Sequence, residues 1–162
     1  MWKRLAGMMM AGWLLALAGL AAAPALRAQE QEPSQQEDTR ELVKLPAMMR
    51  QHMLRNMRDH LVSLNAILEA LSKGDVDKAG DIAEKRLGMS SLSRHGAAHL
   101  AQFMPQGMRA IGTRMHHAAS RFVQVAQEAE LKADKEALHA TYGALKELTD
   151  NCIACHAAYR LR

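Results

Sequence analysis

From Leu42 to the C-terminus no convincing segment alternates apolar and polar residues, so a fold built on β-sheet is excluded. Only two cysteines occur, Cys152 and Cys155, with no second pair to complete a tetrahedral zinc site and none to spare for a disulfide framework. No β-branched strand precedes them, as a thioredoxin-like redox pair would require. Excess charge is also missing once the N-terminus is considered. Of 21 basic residues, Lys3, Arg4 and Arg27 fall in the first 28, which leaves 18 against 17 acidic ones. That balance removes the case for a nucleic-acid partner. No nucleophile–base constellation stands anywhere in the chain, so nothing in the sequence points to an enzyme.

The N-terminus carries a pattern of export. Met1-Trp2-Lys3-Arg4 is a short basic region, and Leu5 to Leu20 is apolar without one charge. Small residues follow, with Ala23-Pro24-Ala25 and Leu26-Arg27-Ala28 as cleavage sites, so residues 1–28 are expected to be a signal peptide. An uncleaved anchor is the alternative, and after cleavage no stable membrane span is expected. Gln29 to Glu41 is poor in apolar residues and rich in Gln and Glu, the composition of a flexible lead. Residues 42–162 are the size of one domain.

Within that domain apolar residues recur at steps of three and four, the period of amphipathic helices. The first helix is expected from Pro46 to Gly74, with Met53, Met57, Leu61, Leu64, Leu68 and Leu71 facing inward. A second starts at Asp75 as its cap and carries Val76, Ala79, Ile82, Ala83 and Leu87, loosening from Gly88 towards Phe103. The third has the strictest order: Met104, Met108, Ile111, Met115, Ala118, Phe122, Val125 and Ala129. The fourth is expected from about Asp134 to Leu161, with Leu138, Thr141, Leu145, Leu148, Cys152, Cys155 and Tyr159 on one seam. Four such helices make an all-α, antiparallel four-helix bundle.

The chemistry lies in Cys152-Ile153-Ala154-Cys155-His156, the spacing by which haem c is attached. Residues three apart share a helical face, so both thiols can add to the vinyl groups of one porphyrin while His156 turns towards the iron. On the fourth seam, that haem would lie in the bundle core. Export agrees with this reading, because c-type haem is attached outside the cytoplasm, in bacteria in the periplasm.

Four helical segments ending in Cys-x-x-Cys-His-x-x-Tyr-Arg, with Tyr159 and Arg160 as its last two residues, resemble the class II cytochromes c, the cytochrome c′ family. The likeness covers Leu42 to Arg162. It implies one covalent haem on the fourth helix, His156 as the proximal ligand, redox proteins as partners and, in some members, a homodimer. Arg160, one turn beyond His156, would sit near a haem propionate; a solvated arginine favouring the helix dipole is the alternative. The family supplies its sixth iron position from the first helix. A methionine there gives a low-spin electron carrier, and an open apolar pocket gives a five-coordinate NO- or CO-binding protein.

Counting back from Lys73-Gly74 leads to Met57 as the iron ligand, with Met53 one turn earlier. Leu54, four after Arg50, has the spacing of the gas-binding members. His60, one turn after Met57, is expected on an exposed flank of the same helix, with an alternative iron ligand or a polar neighbour of the distal site as its other readings. The i, i+4 pair His95 and His99, and the neighbours His116 and His117, are assigned to surface or capping roles, since no third ligand at matching spacing makes them a copper or zinc site. The function expected is that of a periplasmic monohaem electron carrier. A haemless metal- or thiol-binding bundle is the remote alternative. Protein recovered from a periplasmic extract should have an intact mass that starts at Leu26 or Gln29; a mass retaining Met1 would establish the anchor instead.

Overall fold

The computed structural model describes residues 37–132 and 134–162. The expected signal peptide and most of the expected lead lie outside the described residues. Asp38–Arg162 form a compact unit, so its first residues precede the boundary expected at Leu42.

The described chain is all-α, with a single small strand pair. Helix α1 spans Ala47–Ser72, α2 Val76–Arg86, α3 Ala97–Ala101, α4 Gln106–Lys132 and α5 Lys135–Ala158; strands β1 and β2 are Glu41–Val43 and Tyr159–Leu161. The four periodic segments of the sequence correspond to α1, α2, α4 and α5. The irregular stretch between Gly88 and Phe103 holds a 3-10 turn at Met89–Ser91 and the short α3.

Local signals set the helix ends. Pro46 opens α1 with its φ fixed at −53°, and its carbonyl accepts from the Arg50 N–H at 2.9 Å. Gly74 closes that helix at φ 73°, a left-handed conformation that costs glycine no Cβ clash, while the Asp75 N–H returns to the Ala70 carbonyl at 2.9 Å. The Asp75 carboxylate then accepts from the Lys78 N–H at 3.1 Å and starts α2. Asp134 does the same for α5, accepting from the Ala137 N–H at 2.7 Å.

Helix α5 stops earlier than its periodicity implies. Tyr159 turns extended, and Tyr159–Leu161 pairs in parallel with Glu41–Val43 in the register Glu41 with Tyr159, Leu42 with Arg160 and Val43 with Leu161. Backbone bonds from the N-terminal segment replace those that a further helical turn would have made, and Tyr159 and Leu161 pack against the group containing buried Val43 and Leu45.

Close helix pairs are α4 with α5, α1 with α2 and α2 with α4. The buried apolar side chains form two groups. The larger is centred on Ile67, Leu87, Phe122, Leu145 and Leu148. The smaller contains Val43, Leu45, Met53, Leu100 and Met108, with Met57, Met104, Cys155 and Tyr159 against it. Although Met53 and Met57 of α1 share this group with Cys155 of α5, α1 and α5 are not one of the close pairs.

On α1 the buried face is turned by about one residue from the expected apolar line. Met53, Asn56, Ser63, Ile67 and Ala70 are buried, whereas Leu61 is 68 % exposed and Leu68 45 %. With His60 included, the inward positions step by three and four, but three of them are polar. The expected apolar line thus borders the buried face, with Met53 buried and Met57, Leu64 and Leu71 half-buried against the core. On α5, Ala137 replaces the expected Leu138 inside. Adjacent substitutions on α1 read out this register: Ile67→Ala should cost about 2–5 kcal/mol in urea unfolding, and Leu68→Ala much less.

Candidate functional site

Cys152 and Cys155 occupy the last turns of α5 as free, half-buried thiols. They reach different parts of the interior. Cys152 lies against the larger apolar group and its S–H donates to the Leu148 carbonyl at 3.7 Å, while Cys155 lies against the smaller group. Burial pushes both thiols above their ordinary range, with Cys152 adding to the effect on Cys155. A redox-active pair needs the opposite, a thiolate favoured by its surroundings. The environment is that of thiols held beside apolar surface.

His156 follows on the same turn, exposed, its carbonyl 3.4 Å from Arg40 Nη1. Arg160 is in β2 rather than on the helix. Its Nε donates to the Arg40 carbonyl at 3.3 Å and lies 3.5 Å from the Asp38 carboxylate. Arg40 holds that carboxyl down to about 2, with Arg160 as a smaller contributor. The two arginines and Asp38 thus tie the first described residues to the end of the chain.

On α1, Met57 is half-buried within the smaller apolar group and Met53 is buried in it. Leu54, the residue that the sequence pattern offers for a gas-binding site, is 41 % exposed. His60 is where the structure departs furthest from the sequence pattern: it is turned inward, and Nε2 is a buried polar atom with no hydrogen-bond partner.

His60 belongs to a row of imidazoles. Its ring meets the His95 ring edge-on, centroids 4.7 Å apart at 63°, and His95 lies 5.4 Å from His116. His95 and His116 are buried, while His99 and His117 are exposed, so each pair expected from spacing is split between inside and outside. A surface role therefore does not hold for His95 or His116, whereas a capping role does for His116, which bonds the carbonyl of Leu87 at the end of α2. Among the described residues no group of three or more His, Cys, Asp or Glu is arranged to hold a metal ion.

Hydrogen bonds fix this row. The His95 carbonyl accepts from His52 Nε2 at 2.8 Å and Asn56 Nδ2 at 2.9 Å. His116 Nδ1 donates to the Leu87 carbonyl at 2.7 Å, and Ser91 Oγ, donating to the Gly88 carbonyl at 2.7 Å, is 3.4 Å from Nδ1 of both His95 and His116. Gly96, at φ 61°, lets the chain pass under His52, whose Nε2 would be 2.9 Å from a Cβ there. The 3,4 spacing of Met53, Asn56, His60, Ser63, Ile67 and Ala70 was a signal for the inward place of His60. Nothing in the Ser- and Gly-rich stretch signalled that of His95.

In comparisons with known proteins, no family model, no curated protein and no solved structure matches the chain.

Burial depresses His60 to about 3, aided by the charges of His95, His116 and His156, and depresses His95 to about 4, aided mainly by His116. His116 is also lowered by burial, against the opposing effect of the Leu87 carbonyl. Folding thus favours the neutral rings. The unfolded chain takes up these protons first as pH falls, so the stabilisation is whole above about pH 6.5 and is lost as pH drops towards 4 and 3. For the haem-free polypeptide the urea midpoint should fall over that window, by at most about 1.4 kcal/mol per pH unit for each histidine. His95→Gln should make the decline shallower; an unchanged slope would mean that His95 titrates normally.

Proposed function

We propose that the protein is a periplasmic monohaem c-type cytochrome that carries electrons through a low-spin haem, with α1, α2, α4 and α5 forming an antiparallel four-helix bundle. The observation that carries this reading is the position of Cys152, Cys155 and His156. A haem-attachment sequence falls on the last turns of α5, with its thiols unbridged and half-buried against apolar surface. Cys155 shares the smaller apolar group with Met53 and Met57 of α1.

The donor set suits haem. Two neutral thiols three residues apart can form the thioethers, His156 supplies an imidazole, and the methionine-rich group of Met53, Met57, Met104 and Met108 is an adaptable apolar wall for a porphyrin. Bound haem supplies one-electron chemistry, its iron alternating between ferric and ferrous states. The chain's part is to hold the ring, exclude water and keep the axial groups fixed, so that little rearranges with redox state. From α1, the sixth position can be filled by Met57, the residue singled out by the sequence, or by His60, whose nitrogen is free.

Arg160, engaged with Asp38 and Arg40, serves this reading by holding the strand pair beside the haem turn, and a propionate would compete with Asp38 for it. Partners are redox proteins met through local surface patches, since the chain without its leader is nearly neutral. Among the described residues no helix is long and apolar enough to cross a membrane.

Expressed with a c-type maturation system, the protein should carry one covalent haem by mass and by its pyridine haemochrome, and Cys152→Ala with Cys155→Ala together should abolish it. Wild-type protein without covalent haem would refute the assignment and favour a metal- or thiol-binding bundle. Haem that is high-spin and binds CO would support a gas-binding protein.

A further inference from the structure

We propose that His60, rather than Met57, is the sixth ligand of the haem iron, which is then held between two imidazoles, His60 from α1 and His156 from α5. The inference rests on the haem reading above and names the ligand that completes the site.

The first argument is an unsatisfied atom. Among the described residues, His60 Nε2 is the buried side-chain nitrogen or oxygen left without a hydrogen bond. Burying such a group costs about 1–3 kcal/mol, and in native proteins such an atom is met by an ordered water, an ion or a ligand. A metal ion satisfies an imidazole nitrogen. Met57 makes no such demand, because a thioether is a weak acceptor and is at ease in the apolar group where it lies.

Position is the second argument. His60 is on the inward line of α1, one turn beyond Met57, with Nε2 buried. The two helices that would supply the axial groups are not one of the close helix pairs, yet both line the smaller apolar group. A haem attached to Cys152 and Cys155 would lie between them.

Third, the His60 ring has an ordered neighbour. His95 meets it edge-on, and His95 is itself anchored by the bonds that His52 and Asn56 donate to its carbonyl.

Ligation by two imidazoles places the protein among the lower-potential carriers, since exchanging a histidine for a thioether raises the potential. Optical and electron paramagnetic resonance spectra of the matured, haem-loaded protein test the assignment. The ferric wild type should be low-spin with a two-imidazole signature and no sulfur-to-iron band, and Met57→Leu should leave it unchanged. His60→Ala should become high-spin, bind CO about tenfold or more tightly, and return to low-spin on addition of free imidazole. His60→Met should raise the reduction potential.

A sulfur-to-iron band in the wild type, or a low-spin His60→Ala protein, would overturn the proposal while leaving the haem reading intact. An open, high-spin wild type would overturn it as well. The wild-type spectra decide the matter even if His60→Ala fails to fold. Absence of covalent haem would instead remove the reading on which the proposal stands.

Discussion

The His95 carbonyl takes two hydrogen bonds from α1, from His52 Nε2 and Asn56 Nδ2, and the polar interior depends on this junction. Each bond contributes about 1 kcal/mol net, and losing both would leave the carbonyl oxygen unsatisfied at greater cost. The segment from Leu87 to His95 is held at further points: His116 binds the Leu87 carbonyl, and Ser120 Oγ accepts from the Met89 N–H at 3.0 Å while donating to Glu84 at 2.6 Å. A stretch with little regular structure thereby becomes a fixed wall. Its fixed position is what places the His95 ring against His60.

A second constraint acts at the chain ends. The β1–β2 pair joins residues more than a hundred positions apart, and Val43, Leu45, Tyr159 and Leu161 meet in the smaller apolar group. Cys155 belongs to that group, and its carbonyl accepts from the Tyr159 N–H where α5 turns into β2. The turn bearing Cys155 and His156 is consequently bounded on one side by helix and on the other by strand. Exposed ion pairs such as Lys85 with Asp81 and Lys146 with Asp150 contribute little by comparison.

Legibility in the sequence followed the kind of physics involved. Helices α2, α4 and α5 begin or run where caps and period dictate, because Asp75, Asp134 and the Met108 to Phe122 spacing are local signals. The α1 face was displaced because Asn56, His60 and Ser63 are polar in positions where pattern reading looks for apolar residues. Pairing of Glu41–Val43 with Tyr159–Leu161 was invisible for a different reason: three residues are too few to show a period, and the partner is at the other end of the chain. Cys152, Cys155 and His156 were readable as a local motif. The inward turn of His60 was readable only as part of a 3,4 line that mixes polar and apolar residues.

The polar run in the middle of α1 needs an explanation, since apolar residues at Asn56, His60 and Ser63 would bury more readily and leave no polar group to satisfy. Asn56 has one in the His95 carbonyl. Ser63 has one within its own helix, donating to the Asp59 carbonyl at 2.6 Å. His60 alone has none for Nε2, although its environment is otherwise defined by an ordered ring neighbour and by burial strong enough to keep it neutral. A fold shaped by stability alone would not retain that atom, and sites where local rules are broken without compensation are where function is expected. On the proposed reading, the partner of Nε2 is the iron of a haem carried by α5.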